Sequence, residues 1–292
     1  MAQSSYNIKD VYKEIFRIND YFYEGEQGLL LVDDKDGSLH EYCHYGRISG
    51  NGKCNSYFEM ASSGVIYLIK NLKEKYGLEY GKLAEYAFLW LSYKLNQKPK
   101  NNFTDLNKFY TSYIVNNKCY NEKINGDDKM TYKKIIDTNN DLMNIKEISK
   151  FNYPFGILLL LYHVINNNKL DCTKYPSYPK EFADKFEELN NDSNNIKDSQ
   201  FSQILSTLSD DYNNLKNNYG NNKSCDFPPL PQLTPKSPVE ISGINSGQML
   251  KETSEVTSSS SSILNTVIPG LSLFQRQYIR IKLKKTKEEN EN

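Results

Sequence analysis

Leu83-Ala84-Glu85-Tyr86-Ala87-Phe88-Leu89-Trp90-Leu91-Ser92-Tyr93-Lys94-Leu95 is the stretch that decides the fold. Leu83, Ala87, Trp90 and Leu91 recur at steps of three and four, which sets them on one face of a helix. That helix is expected from about Glu79 to Gln97, stopping before Pro99. Trp90, the only tryptophan in the chain, is expected as a core anchor.

The same spacing extends on both sides. Ile8, Val11, Ile15, Ile18 and Phe22 form one helical stripe, and a loop rich in Gly, Asp and His follows from Glu24 to Lys53. A helix beginning near Cys54–Tyr57 carries Phe58, Ala61, Val65, Leu68, Leu72 and Tyr76 inward, with Gly77 as its stop. Thr104 reads as the N-cap of a short helix through Phe109, Tyr113 and Ile114. Thr131 to Ser149 reads as another, with Ile135, Leu142, Ile145 and Ile148 inward. Phe155 to Ile165 is apolar on nearly every side and belongs at the centre of a bundle. Ser177 to Leu189 and Ser199 to Tyr219 complete the set, and no run alternates long enough to require a sheet. The expectation is all-α: an irregular helical bundle of about eight helices, with a disordered Pro/Ser-rich C-terminal linker and a basic tail.

After Cys225 the composition changes. Phe227 to Pro238 holds five prolines, and Ser258 to Ser262 is pure serine. The expected organisation is a helical domain over 5–225, a disordered linker over 226–262, a short apolar segment over 263–274 and a basic tail over 275–292. Met1 to Asp10 shows no signal-peptide pattern. Phe155 to Ile165 is too short for the roughly 20 apolar residues a membrane helix needs. From the residues the chain reads as soluble.

Charge narrows the function classes. The 36 basic and 36 acidic residues cancel, so no global field draws the chain to nucleic acid, and no nucleic-acid partner is expected. The clusters Asn166-Asn167-Asn168, Asn213-Asn214 and Asn217-Asn218, with 23 tyrosines, match an AT-rich coding bias better than Asn-driven aggregation.

Motifs that suggest chemistry are incomplete. Gly46, Gly50, Gly52 and Lys53 invite comparison with a phosphate loop, but five residues separate Gly46 from Gly52 and Cys54 stands where the magnesium hydroxyl belongs. His40, Cys43, His44 and Cys54 could gather zinc, at a spacing that matches no common finger. His163 reads as a core or bundle-edge residue. A nucleophilic pairing with Cys172 lacks an orienting third group. The sequons at Asn102, Asn191 and Asn222 are expected by chance in so Asn-rich a chain. No catalytic, cofactor-binding or metal-ligating set emerges, and no cofactor is expected. Five cysteines cannot all pair within one chain.

The stretch 83–95 is also similar to the signature helix of the Plasmodium interspersed-repeat (PIR) variant antigens, the cir, bir, yir and vir groups. Further matches follow in order: Asp105-Leu106-Asn107-Lys108-Phe109-Tyr110, Tyr132-Lys133-Lys134-Ile135-Ile136-Asp137, and Asp141-Leu142-Met143-Asn144-Ile145 with Ile148-Ser149-Lys150-Phe151. Cys172-Thr173-Lys174-Tyr175, and Cys225 leading into Phe227-Pro228-Pro229-Leu230-Pro231, resemble the family too. The resemblance runs from about Asp10 to Pro231 and returns in the tail at Phe274-Gln275-Arg276-Gln277-Tyr278-Ile279-Arg280.

The resemblance implies a variant surface antigen of a malaria parasite, at the infected host cell or parasite surface. Host interaction and immune evasion are its implied roles; it implies no enzyme, which stays only as a remote third reading. The implied partners are a host protein or glycan ligand and antibodies. The loops Glu24 to Lys53 and Asn116 to Asp128 are the expected contact surfaces. In the oxidising surroundings the family implies, a disulfide between Cys43 and Cys54 is the expected use of those cysteines. Family members often carry a further cysteine near Leu158-Leu159-Leu160-Leu161; its absence here leaves one partner unpaired. They also place a membrane span before the basic tail. Ile263 to Phe274 covers only about 18 Å as a helix and is broken by Pro269-Gly270. The alternative is therefore a soluble exported effector with no anchor, whose contact with membrane is weak and peripheral through Arg276, Arg280, Lys282, Lys284 and Lys285.

Overall fold

Asn7 opens the first helix, α1 (Ile8–Tyr21), by accepting the Lys9 N–H on its side chain at 3.0 Å. Ile8, Val11, Ile15 and Ile18 are buried along it, with Phe22 just beyond. The computed structural model describes residues 6–237 apart from 25–29, 34–36, 47–51, 96–105, 126, 128, 140–147, 167–168, 174 and 221–224. Phe22, expected on the helical stripe, instead opens the strand β1 (Phe22–Glu24), which pairs antiparallel with β2 (Leu30–Val32) in the region expected as loop. Three residues per strand are too few for alternation to show in sequence.

α2 (Tyr57–Tyr76) starts on Ser56, whose hydroxyl accepts the Glu59 N–H at 3.2 Å, while the Glu59 carboxylate accepts the Asn55 N–H at 2.7 Å. It ends at Gly77, whose φ of 65° lets its N–H reach the Leu72 and Lys73 carbonyls. α3 (Tyr80–Leu95) follows, and every residue from Leu83 to Leu95 is buried. α2 and α3 approach so closely at Gly64 that a Cβ there would stand 2.5 Å from the Trp90 ring. Trp90 itself is fully enclosed, with the Phe22 ring edge-on at 5.4 Å.

α4 (Leu106–Phe109) runs into one π-turn, Tyr110–Ile114. Thr104, the expected cap, lies outside the described residues. α5 (Tyr132–Thr138) begins at Thr131, whose side chain accepts the Lys134 N–H. The long helix expected to Ser149 stops at Thr138. The buried Asn139 turns its amide back onto the Ile135 carbonyl at 3.1 Å, offering the backbone an alternative to another turn. Leu142 and Ile145 lie outside the described residues. A 3-10 turn, Ser149–Phe151, leads into α6 (Asn152–His163), and Ile165 falls in the hairpin β3 (Ile165–Asn166) and β4 (Lys169–Leu170) rather than in the helix. α7 (Tyr178–Asn190) and α8 (Gln200–Tyr219) close the bundle, the latter capped by Ser199.

α2 packs on α1 and α3; these two pack on α6, which packs on α7 and α8. The layers therefore run from α2 through α6 to the α7–α8 pair. Asp211 of α8 ties them together: its carboxylate accepts from Tyr12 of α1 at 2.9 Å and Tyr86 of α3 at 3.0 Å, and its carbonyl accepts from Tyr162 of α6 at 2.8 Å.

The Pro-rich stretch expected as free linker is ordered over residues 225–237. Phe227 packs edge-on against Tyr212, whose hydroxyl donates to the Pro228 carbonyl at 2.9 Å. Farther on, Asn190 donates to the Gln232 carbonyl and accepts from the Thr234 N–H. Lys236 exchanges backbone hydrogen bonds with Asn195 and Lys197. Proline fixes an extended backbone at little entropic cost, so a few side-chain contacts hold this strap. The rest of the linker, segment 263–274 and the tail 275–292 lie outside the described residues. Ending the chain after Ser237 is expected to leave the melting temperature unchanged. Ending it after Cys225 removes the buried Phe227 and is expected to lower it by about 5–10 °C. Equal melting temperatures for the two truncations, read by circular dichroism, would show that the strap contributes nothing.

Candidate functional site

The loops expected as contact surfaces are brought together over α2. The first passes from a short 3-10 turn at His40–Tyr42 to Cys54, and the second from Val115 to Thr131. Asn117 joins them. Fully buried, it accepts the His44 N–H at 3.1 Å and the Cys119 N–H at 3.2 Å, and donates to the Tyr42 carbonyl at 2.6 Å. The Lys118 N–H donates to the His44 carbonyl at 2.8 Å. An Asn side chain presents both a donor and acceptor sites, which lets one residue satisfy two strands of loop.

α2 supports this layer from beneath. The Tyr113 carbonyl accepts from Ser62 at 2.9 Å and from Tyr45 at 3.1 Å, and Tyr120 donates to the Ser62 carbonyl at 2.7 Å. The π-turn carries Tyr113, and its wider ring fits a site where one carbonyl takes two side-chain donors. Burial pushes the hydroxyls of Tyr45 and Tyr120 well above the usual tyrosine range, so they serve as fixed donors at every physiological pH. Lys70 donates to the Tyr42 hydroxyl at 3.1 Å, and that bond raises the Lys70 pKa. Along the edge, Asn125 reaches Glu74 at 2.6 Å and Tyr80 reaches Asp127 at 2.6 Å. Glu41, Lys53, Val115, Asn116, Lys118, Glu122 and Lys123 are exposed on this layer.

Cys43 and Cys54 form a disulfide with Cα atoms 5.3 Å apart, closing the first loop. The Cys54 N–H donates to His40 Nδ1 at 2.9 Å, so the imidazole braces the bridge. Among the described residues, no three His, Cys, Asp or Glu are grouped to hold a metal ion. Gly46 and Gly52 adopt positive φ, as turn glycines do, and Gly50 lies outside the described residues.

A second disulfide, Cys172–Cys225, spans 53 residues and fastens the start of the strap. Cys172 is thereby unavailable to His163, which stands exposed at the end of α6 with its ring stacked on Phe16 at 3.5 Å. Partial burial lowers the His163 pKa. Cys119 is the free cysteine; burial pushes its thiol up to about 12, where it is not a nucleophile. The Cys172–Cys225 pairing was not read from sequence, where both cysteines stood out only as parts of stretches resembling the family.

The described structure defines an all-α, disulfide-bridged domain with two loops stitched over one helix. The chain belongs to the Plasmodium variant antigen Cir/Yir/Bir (PIR) family, whose model matches residues 12–282. Among solved structures it is similar to a Plasmodium PIR protein ectodomain, with 30% identity and a TM-score of 0.55, over 77% of this chain and 99% of that one. No curated protein matches it.

The hydrogen-bond network, not the exposed side chains, is expected to hold the loop layer. Asn117→Ala should cost about 1–3 kcal/mol, because it strands several buried backbone groups. Lys118→Ala should change stability by no more than about 0.5 kcal/mol. Denaturant midpoints that rank the two variants in the opposite order would refute this division of labour.

Proposed function

We propose that the chain is a variant surface antigen that meets host ligands and antibodies through the loop layer over α2. The observation that carries this reading is the separation of tasks within that layer. Asn117, Ser62, Tyr45 and Tyr120 bond the backbone from inside, while Glu41, Lys118 and Glu122 are exposed. Outward positions with no packing duty tolerate substitution, which is what a diversifying surface requires. The role is binding rather than catalysis: Cys172 is bridged, His40 braces a disulfide, and Cys119 is held as an inert buried thiol.

A second reading is a soluble exported effector. Among the described residues no helix is long and apolar enough to cross a membrane, and that observation favours it. The two readings place the loop layer on opposite sides of a membrane. If the antigen is displayed, protease added to intact infected cells should remove an antibody epitope centred on Asn116 to Lys123. An epitope that survives until the cells are permeabilised would overturn surface display and leave the effector reading.

A further inference from the structure

Asp211 is an acid in the wrong place for an ordinary carboxylate. It is buried at the middle of α8, which packs on α6, and it meets side chains from α1 and α3. Its oxygens take two phenol donors, Tyr12 at 2.9 Å and Tyr86 at 3.0 and 3.1 Å. The Tyr12 ring is stacked on Tyr162 at 4.4 Å and lies edge-on to Tyr86, so the donors are held by one another as well as by the acid.

Among the described residues, no cation is bonded to this carboxylate. Lys82 of α3 is the nearest basic influence, and its ammonium is engaged by Glu85 at 2.8 Å and by Thr207. Glu85 itself accepts from Thr207 at 2.6 Å. Asp210, exposed on the same helix, adds a repulsive charge. Tyr12 faces Asp211 from α1, Tyr86 and Lys82 from α3, and Tyr162 from α6, while Tyr6 lies near Tyr86. α7 meets α8 through the Phe182 ring stacked on Tyr212.

A carboxylate enclosed without a cation is costly, and two neutral phenols offset only part of the lost hydration. When α8 lifts away, water solvates Asp211 and the charge costs little. The closed and open arrangements therefore differ in proton affinity at a single residue. We propose that Asp211 makes the docking of α8 proton-linked: closing α8 takes up a proton, and raising the pH toward neutrality loosens α8 from α1, α3 and α6.

Burial raises the Asp211 carboxyl to about 7, against an ordinary value near 3.8. Between those values the closed state holds a proton that the open state lacks, so closure weakens as pH rises. Below the window both states are protonated, above it both are ionised, and the slope disappears. Lys94 is a separate matter. Burial lowers it to about 7, and its ammonium donates to the Asn19 carbonyl at the α1–α3 contact, away from α8.

Hydrogen exchange on the full-length, disulfide-bonded protein tests this. After correction for intrinsic rates, opening of α8 amides should rise by up to about 10-fold per pH unit between pH 5 and 7 and then level off. Asp211→Asn should flatten that dependence. Should that variant fail to fold, the carboxyl carbon signal of Asp211 in the unaltered protein decides, with a midpoint near 7 expected. Tyr86→Phe, which removes a donor to the charged form, should move that midpoint upward. A pH-independent α8 opening, a slope that survives in Asp211→Asn, or an Asp211 midpoint near 4 would overturn the proposal.

Discussion

The burial of α3 from Leu83 to Leu95 is the constraint from which the other contacts follow. A helix enclosed on all sides cannot leave polar groups to water, yet residues 83–95 include Glu85, Tyr86, Ser92, Tyr93 and Lys94. Four of these residues make polar contacts that reach into neighbouring elements. Glu85 draws Thr207 of α8, Tyr86 draws Asp211, the Ser92 carbonyl draws Asn152 of α6, and Lys94 reaches the last turn of α1 at Asn19. Burial of Leu83, Leu89, Trp90 and Leu91 supplies the non-directional drive. The polar pairs then specify which helix lies where, because a wrong register would strand a buried group. The same Lys94 ammonium completes the C-terminal end of α1, where unsatisfied carbonyls favour a cation.

With α3 enclosed, its two sides acquire different duties. On one side α2 carries the loop layer, fastened by Asn117 and by the Cys43–Cys54 bridge. On the other side α6 and the α7–α8 pair carry the strap, fastened by Cys172–Cys225 and by Phe227 on Tyr212. The loop layer satisfies its backbone from within, through buried side chains such as Asn117 and Tyr120, and leaves Glu41, Lys118 and Glu122 to solvent. The strap does the reverse and spends Phe227 on the core. Substitution is cheap on the first and costly on the second, which suits a family of variant antigens.

Much of the helical framework was legible because helix signals are local. Ser56, Thr131 and Ser199 capped helices where a Ser or Thr preceded an apolar period, and Gly77 ended one. The apolar run of α6 read as central because it is. What escaped depends on partners distant in sequence. Asp210-Asp211 looks like a solvated helix face, and nothing nearby announces that Tyr12 and Tyr86 will meet the second of the pair. The strap read as free linker because proline content is visible, whereas its partners Asn190 and Asn195 lie some forty residues upstream. The second disulfide was hidden for the same reason, and the hairpins were hidden by their shortness. In the candidate site, the two loops were visible as loops; that Asn117 would join them was not, since Asn116-Asn117 is one more Asn pair in an Asn-rich chain.

If the structure is assembled around α3, native-state hydrogen exchange should show it. Amides of α3 from Tyr86 to Lys94 should be the last to exchange and should open only with global unfolding, after those of α7, the loop layer and the strap. Exchange of α3 amides ahead of α7, or through an opening smaller than global unfolding, would contradict assembly around α3.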